Sequence, residues 1–333
     1  MHVRNKSMKK TTVTVVIAAY KGEKYIGEQL KSLFVQTLLP DEILIGDDSP
    51  DNLTELAVNE VLPEAPENIR IDYQKNPRSL GVTGNFSKLA ERATGDYILF
   101  CDQDDIWLEN KIEIMVQALD SNPDCDLAAC DSMCVTADLA PLKRLVNPKC
   151  ITEQKEEYFK KIWKIINTFS GHNLIMRNCK NNCRPFCSYQ KLYHHDQWII
   201  FYYSFLNKFI YVDRVLTKYR IHGENVTTPS IKRSGNHIFD RIREIRKSVG
   251  IDLEKTVDIY EFYKGLLLER IPSEQIPLDN LSYMNKSLEF FRWRLKNHNR
   301  RFCLFRILSS ICHFCGYFKY SNGFFSFVRD CLF

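Results

Sequence analysis

Residues 96–105 read DYILFCDQDD, an apolar run that ends directly in three carboxylates within four positions. The first six residues, Asp96 to Cys101, have the short apolar pattern of a buried β-strand. Like charges this close repel one another unless a cation or a proton lies among them. A helix N-cap accounts for one aspartate after a strand, but hardly for three. The run therefore predicts a strand that delivers Asp102, Asp104 and Asp105 to a functional edge.

Upstream of this run, the sequence alternates between strand-like and helical patterns. Two further apolar runs read as strands, Val13–Ala19 and Glu42–Gly46, and Ile69–Gln74 reads as a third strand between them and the first run. Apolar residues three and four apart predict a helix after each of them, over Tyr25–Gln36, Asn52–Val61 and Gly84–Ala93. Strands that alternate with helices are typical of a parallel α/β sheet. Ligands of such sheets bind at the carboxyl ends of the strands, where Asp47 and Asp48 also fall.

The composition is that of a globular protein with a sizeable core. The chain has 333 residues, of which 44% are hydrophobic, and a formal net charge of +5. This charge is small for the length, and from Lys286 onward nine Lys or Arg residues stand against two acidic ones. The basic character belongs to the tail, and we expect no nucleic-acid partner.

No export pattern is visible, because the charged N-terminus runs into Thr11–Tyr20, which reads as a strand rather than an apolar signal segment. The sequence has no run of about 18 uncharged apolar residues, so a transmembrane helix is not expected. Without export, the twelve cysteines are best read as reduced thiols. These features predict a cytoplasmic protein.

Asp102 and Asp104 stand two residues apart, a spacing that places both carboxylates on the same side of an extended segment. Oxygen ligands of this kind suit a hard divalent ion, Mg²⁺ or Mn²⁺, that also bridges to a pyrophosphate. Such an ion would neutralise the charge that grows on a nucleoside-diphosphate leaving group. A D-x-D pattern alone is weak, and its position after a predicted strand makes it more specific.

Three landmarks occur in order: VVIAAY at residues 15–20, IGDDS at 45–49 and ATGDYILFCDQDDIW at 93–107. With them the sequence resembles the family 2 glycosyltransferases, in particular the bacterial rhamnosyltransferase-like members. The resemblance implies the GT-A fold, a Rossmann-like and mostly parallel sheet flanked by helices. It extends over residues 12–227. The implied organisation is an N-terminal tail at 1–11, a catalytic domain at 12–228 and a helical, basic and aromatic C-terminal extension at 229–333.

The resemblance also implies site residues. Those expected to bind the nucleotide-sugar are Ala19, Tyr20, Asp48, Asn76, Arg78, Asp102 and Arg220. The expected metal ligands are Asp102, Asp104 and His222, the last of them in the Tyr-Arg-x-His segment that ends the catalytic domain. Arg220 and His222 alternate to one face of an extended chain. For Arg220 and His222, the alternative is a strand-end arginine and a surface histidine. His172, in a turn before the acceptor side, is a further contributor.

A second group, His195-Asp196-Gln197-Trp198, resembles the family's His-Asp-x-Trp segment and makes Asp196 the expected general base. An inverting transfer needs one carboxylate to take the acceptor hydroxyl's proton during the attack on the anomeric carbon. From the residues alone, Asp196 serves equally well as an N-cap before the apolar run 198–205. His195 and Trp198 are expected on the acceptor side, and the alternative for Trp198 is a place in the core.

These features predict an inverting, metal-dependent glycosyltransferase of bacterial polysaccharide synthesis. The expected donor is dTDP-rhamnose or a UDP-hexose, and the expected acceptor is a glycan or a lipid-linked glycan. A metal-dependent nucleotidyltransferase is one alternative, although residues 18–22, AAYKG, make a poor triphosphate loop. A degenerate transferase that serves as an assembly partner is another, and the presence of both carboxylate groups disfavours it.

Aromatic and basic residues interleave in the tail, at 290–296 and 300–308. This pattern suits an interfacial helix with rings in the acyl boundary and Lys or Arg on anionic headgroups. It suits equally a helix that packs on the protein by its aromatic face. The first interpretation predicts a peripheral protein on the inner face of the cell membrane.

Overall fold

The computed structural model describes residues 11–144, 155–164, 169–179, 194–223, 238–298, 303–321, 326–327 and 330–331. The chain forms two compact units, one of Met1–Lys155 with Asn167–Asn225 and one of Glu156–Ile166 with Val226–Phe333. The predicted domain boundary at residue 228 and most of the predicted N-terminal tail lie outside the described residues.

The first unit is built on a nine-stranded sheet. Its strands are β1 (Val13–Ala19), β2 (Glu42–Asp47), β3 (Arg70–Lys75), β4 (Tyr97–Asp102), β5 (Ile106–Trp107), β6 (Leu127–Val135), β7 (Pro141–Arg144), β8 (Leu174–Arg177) and β9 (Phe209–Arg220). Its helices are α1 (Ile26–Phe34), α2 (Leu53–Val61), α3 (Gly81–Arg92), α4 (Lys111–Asp120) and α6 (His195–Phe205). Short 3₁₀ turns lie at Leu62–Glu64 and Gly171–Asn173.

The strand order is β3-β2-β1-β4-β8-β6-β9-β5, with β7 paired to β6. The first four strands are parallel to one another, as predicted. Beyond β4 the sheet is mixed, because β8 runs antiparallel to both β4 and β6, whereas β6 and β9 are parallel. The predicted α/β fold class of the GT-A type is confirmed.

Both faces of β1 are covered. Val13, Val15 and Ile17 of β1 join the apolar residues of α1 and α4 in one core cluster. The intervening Val16 is equally buried on the other face, where α3 packs against β1 and β2. A Val, Ile or Leu buried to this extent contributes about 1.5–3 kcal/mol. A run such as VTVVIAA is therefore a strand because it has two apolar faces to bury.

Helix α3 begins at Gly81, three residues before the predicted start at Gly84. The reason lies outside the local sequence, because the Leu80 N–H donates to a carboxylate oxygen of Asp48, 32 residues away, at 3.0 Å. This distant acceptor satisfies a backbone donor at the start of the helix. Gly81 itself has φ +70°, a conformation that a residue with a Cβ rarely adopts.

The second unit is helical and is described by α5 (Lys155–Lys164), α7 (Ile238–Arg270), α8 (Leu278–His298), α9 (Cys303–Cys312) and α10 (Phe314–Tyr320), with a 3₁₀ turn at Ser273–Gln275. Its core is aromatic: the ring of Trp163 lies 4.0 Å from that of Tyr260, and its indole N–H donates to Ser287. Among the described helices, none combines the length and the apolar character that a membrane crossing needs.

Candidate active site

The carboxyl ends of β1, β2 and β4 lie side by side. In the parallel register Ala19 is level with Asp47, and Ala18 is level with Asp102. Backbone bonds join the loops that follow, since the Asp48 N–H donates to the Ala19 carbonyl at 2.8 Å. The Asn76 N–H likewise donates to the Asp47 carbonyl at 2.7 Å. The two acidic groups of the sequence therefore meet at one edge of the sheet.

A cavity of about 360 Å³ opens at this edge, a size within the range of small-molecule sites. It is lined by Tyr20, Asp48, Ser49, Pro50, Lys75, Asn76, Pro77, Arg78 and Ser79. Four of the residues predicted to bind the nucleotide-sugar are thus gathered in one place. Ala19 lies buried at the end of β1, so it supports the wall and does not line the cavity.

Asp48 is held rigidly within this cavity. One carboxylate oxygen accepts from the Asn76 side-chain amide at 2.8 Å. The other accepts from the Leu80 N–H at 3.0 Å and from the Ser79 hydroxyl at 3.3 Å. The cavity is therefore shaped before any ligand enters it.

The acidic cluster meets His172 just beyond β4. The Nδ1 atom of His172 lies 3.3 Å from Asp102 Oδ2 and 3.5 Å from Asp105 Oδ2. Among the described residues, these three side chains form the group whose ligand atoms all lie within 4.8 Å of one another. Residues 102–104 are not one extended segment as expected, because β4 ends at Asp102 and residues 103–104 form a turn. The roles of Asp102 and Asp104 as metal ligands stay predictions. The carboxylate that converges with Asp102 is that of Asp105.

Asp105 is fully buried, and its pKa is strongly perturbed. Its Oδ1 accepts the Arg220 backbone N–H at 3.1 Å, whereas its Oδ2 has no hydrogen-bond partner. Burial raises the pKa of Asp105 to about 7, and the charges of Asp102 and Asp104 add to this while His172 opposes it. Burial and the nearby charge of Asp102 also raise the pKa of Asp104.

The hydrogen bonds of His172 leave its Nδ1 atom facing the acidic cluster. The Ser132 hydroxyl donates its single hydrogen to Asn173 at 2.7 Å, so the Nε2–H of His172 must donate to Ser132, at 3.0 Å. The remaining Nδ1 then faces two carboxylates and needs either its own proton or a cation. Burial alone would lower the pKa of His172, but Asp105 and Asp102 outweigh burial and raise it.

Asp104 meets the other predicted ligand, His222, whose Nε2 lies 2.8 Å from Asp104 Oδ2. These residues are 118 positions apart in the sequence, and β9 brings them together. His222 stands at the rim of the acidic cluster, which is where the resemblance places it. Its role as a metal ligand stays a prediction.

Arg220 is buried, and its guanidinium binds other groups of the protein. It donates to the Asp104 carbonyl at 2.9 Å and to the Ala137 carbonyl at 2.7 Å, and it forms an ion pair with Glu28. It also lies over the Tyr25 ring, 4.5 Å from the centroid. This arrangement makes Arg220 a brace for the acidic turn. A direct contact between Arg220 and a pyrophosphate stays a prediction.

Asp196 lies in the first turn of α6, beside the 3₁₀ turn that carries His172. Its Oδ2 accepts the Gly171 N–H at 3.1 Å, and its Oδ1 accepts the Gln197 N–H at 2.8 Å. Asp196 makes no N-cap bond, because the residue at the N-cap position is His194. The carboxylate is thus oriented by two backbone donors near the acidic cluster.

The two residues predicted on the acceptor side are buried. Trp198 has no exposed surface to offer a sugar, and its position is the core alternative of the sequence analysis. The ring of His195 packs between Phe86 and Phe100, and both of its ring nitrogens lack a hydrogen-bond partner. Burial lowers the pKa of His195, so this ring is neutral. Gly171 makes room for it, since a Cβ there would lie 2.7 Å from His195 Nε2.

Two supporting residues were missed by sequence reasoning. Lys111 is completely buried, with Nζ 2.6 Å from both the His172 carbonyl and the Thr217 hydroxyl and 3.8 Å from the Trp107 ring centroid. Gln103 pairs reciprocally with the Tyr20 backbone: it accepts the Tyr20 N–H and donates to the Tyr20 carbonyl, both at 2.9 Å. A polar residue between two aspartates was the available sequence hint for Gln103, whereas nothing marked Lys111.

Comparisons with known proteins identify the family to which the chain belongs. The uncharacterized glycosyltransferase MJ1057 of Methanocaldococcus jannaschii is 34% identical over 122 residues, which are 36% of this chain and 41% of that protein. The UDP-Glc:alpha-D-GlcNAc-diphosphoundecaprenol beta-1,3-glucosyltransferase WfgD of Escherichia coli is 29% identical over 110 residues, 33% of this chain and 42% of that protein. The chain thus spans less than half the length of these relatives.

The crystal structure of S. aureus TarS superposes with a TM-score of 0.50 and 16% identity, covering 90% of this chain and 55% of that one, a likeness of fold alone. The sequence profile described as glycosyl transferase family 2 matches residues 14–196. This match takes in β1, the cavity loops, the acidic turn and Asp196, and with more than half of the chain covered it makes this protein a member of glycosyl transferase family 2.

Proposed function

We propose that this protein is an inverting, metal-dependent glycosyltransferase that moves a sugar from a nucleoside-diphosphate donor to an acceptor hydroxyl. One observation carries the proposal: Tyr20 lines the cavity, and its backbone is paired with Gln103, which lies between Asp102 and Asp104. A nucleotide in the cavity would therefore have its diphosphate next to the acidic cluster.

The residues present fit a divalent cation. Asp102, Asp105 and His172 offer two carboxylate oxygens and an imidazole nitrogen, with Asp104 and His222 adjacent. Asp105 Oδ2 is buried without a hydrogen-bond partner, and either a proton or a cation must lie between Nδ1 of His172 and the two carboxylates. A cation held there would neutralise the charge of the departing diphosphate.

Asp196 is the proposed general base. Its carboxylate would take the proton of the acceptor hydroxyl as that oxygen attacks the anomeric carbon from the face opposite the diphosphate. The donors Gly171 N–H and Gln197 N–H fix the orientation of the carboxylate, one on each oxygen. Each carboxylate oxygen of Asp196 keeps a lone pair that can accept the proton.

The finer identity of donor and acceptor is also a proposal. The name of WfgD specifies a UDP-glucose donor and a diphosphoundecaprenol-linked acceptor. This supports a UDP-hexose, with dTDP-rhamnose as the other candidate, and a lipid-linked glycan of a surface polysaccharide. Such an acceptor places the protein at the inner face of the cell membrane.

Two substitutions test the proposal, with Asp213→Asn as an exposed control in the same unit. In a thermal-shift screen of nucleotide-sugars with Mn²⁺, the wild type should respond to at least one donor. Asp196→Asn should keep that response and lose about 10²–10⁴-fold in transfer rate. Asp104→Ala should lose the metal-dependent part of the response. Full transfer by Asp196→Asn would overturn the base assignment, and a wild type that responds to no donor would overturn the transferase assignment.

A further inference from the structure

The second unit has an exposed apolar surface on α9 and α10. Leu308 is 51% exposed, Ile311 54%, Phe314 38% and Phe318 51%. Leu308 and Ile311 are three residues apart on α9, and Phe314 and Phe318 are four apart on α10, so each pair shares one face. We call these four residues the α9–α10 face.

The α9–α10 face lies on two helices that follow one another directly, and the opposite side of these helices is packed within the unit. The turn between the helices is closed by the His313 N–H to the Ser310 carbonyl and the Gly316 N–H to the His313 carbonyl. On the opposite side, Tyr317 is fully buried and its hydroxyl donates to Asp330 at 2.9 Å. The exposed side chains are therefore not the product of a loosely packed helix.

The segment of sequence that carries this surface is basic. Residues 290–329 contain eight Lys or Arg residues and no Asp or Glu. The next acidic residue, Asp330, is buried and neutralised by two hydrogen bonds from Arg294, at 2.7 and 2.9 Å. Exposed Lys319 follows Phe318 directly. The apolar side chains thus lie in a segment of the sequence that is rich in Lys and Arg, with the exposed Lys319 next to Phe318.

Exposed apolar side chains next to a cation indicate which partner the α9–α10 face binds. Rings and aliphatic side chains beside cations are what an anionic lipid surface accepts, with the apolar groups in the acyl boundary and the cations on headgroups. A protein interface core is instead depleted of lysine, and a second copy would bring a second positive charge. The aromatic positions first predicted for lipid contact, Phe290 and Phe291, are buried within the unit.

We propose that the α9–α10 face docks this protein on anionic membranes, through Leu308, Ile311, Phe314 and Phe318 with Lys319 beside them. This proposal depends on the proposed function in one respect only, namely that the acceptor is linked to a lipid. Docking itself needs neither donor nor metal.

Sedimentation with phospholipid vesicles tests the proposal on the full-length protein. Wild type should bind phosphatidylglycerol/phosphatidylethanolamine vesicles at least tenfold more tightly than phosphatidylcholine vesicles, and 0.5 M salt should weaken that binding several-fold. The double variant Phe314→Ser with Phe318→Ser should lose at least tenfold in binding. Leu278→Ser, which removes an equally apolar and more exposed residue of the same unit, should bind like wild type. Thermal melts identify any variant that has failed to fold.

Lys319→Glu leaves the apolar residues in place and should weaken binding to anionic vesicles alone. Equal binding of the wild type to both vesicle types, or unchanged binding of the double variant, would overturn the proposal. So would a wild type that binds no vesicle and instead forms a dimer that the double variant disrupts. Vesicle binding without turnover of any donor would defeat the proposed function and leave the docking surface standing.

Discussion

Replacing Asp105 with asparagine removes a buried negative charge and little else. The amide has nearly the same shape, and its oxygen can still accept the Arg220 N–H that Asp105 Oδ1 accepts. What disappears is the charge on Oδ2, which has no hydrogen-bond partner. We therefore expect the substitution to stabilise the metal-free protein and to abolish its stabilisation by metal.

The magnitude follows from the pKa. Asp105 titrates at about 7 in the folded protein, against ~3.9 in an unfolded chain. This difference corresponds to at most about 4 kcal/mol of destabilisation once Asp105 is ionised. Because His172 shares the charge, we expect the variant to gain about 2–4 kcal/mol at pH 8, a rise in Tm of roughly 5–10 °C.

The pH dependence has a definite sign. From pH 4 to 7 the folded protein holds the Asp105 proton and the unfolded chain does not, so wild-type stability falls as the pH rises through this window. The advantage of Asp105→Asn should therefore be absent near pH 4, grow up to pH 7 and stay constant above it. Thermal melts in EDTA at pH 4 to 8 measure this, with Asp213→Asn as control. Parallel pH profiles for wild type and variant would refute the reasoning.

Two other substitutions test how the site is supported. Gln103→Ala removes both hydrogen bonds to Tyr20, each worth about 0.5–1.5 kcal/mol, and should raise the donor KM about tenfold while kcat changes less. An unchanged donor KM would show that the pairing does not position Tyr20. Gly171→Ala should cost about 1–3 kcal/mol in chemical denaturation, because its Cβ would displace the His195 ring, which Phe86 and Phe100 confine. A variant as stable as the wild type would show that the His195 ring moves aside at no cost in stability.

The parallel half of the fold could be predicted from the sequence because its order is local. Three of the first four strands are apolar runs, and the predicted limits agree with β1 to β4 within one residue at each end. The mixed half was harder, since the pairing of β8 with β4 and β6 depends on residues far apart in the chain. The early start of α3 has the same origin, a backbone donor satisfied by the distant Asp48.

In the site, the sequence located the acidic cluster but not its geometry. Alternation along an extended chain predicted that the carboxylates of Asp102 and Asp104 lie on the same side. Residues 103–104 instead form a turn, and the carboxylate of Asp105 lies with that of Asp102 and the ring of His172 in one cluster of possible ligands. Lys111 could not be recognised, because a lysine in the first turn of a helix is ordinarily exposed. Its burial beneath His172 results from the packing of α4 against β9.

The hydrogen bonds that Asp48 makes within the protein limit what it can accept from a ligand. A carboxylate offers about four lone-pair positions, and the protein already fills three of those on Asp48, with Asn76, Ser79 and Leu80. One acceptor position is left for a ligand. The edge of uracil or thymine presents a single imide N–H between two carbonyls, whereas guanine presents an N–H and an amino group side by side. A base that meets Asp48 with one donor is fully matched, and a second donor would enter the pocket unpaired. Should Asp48 bind the base of the donor, as the resemblance implies, its one remaining acceptor position would favour uracil or thymine over guanine.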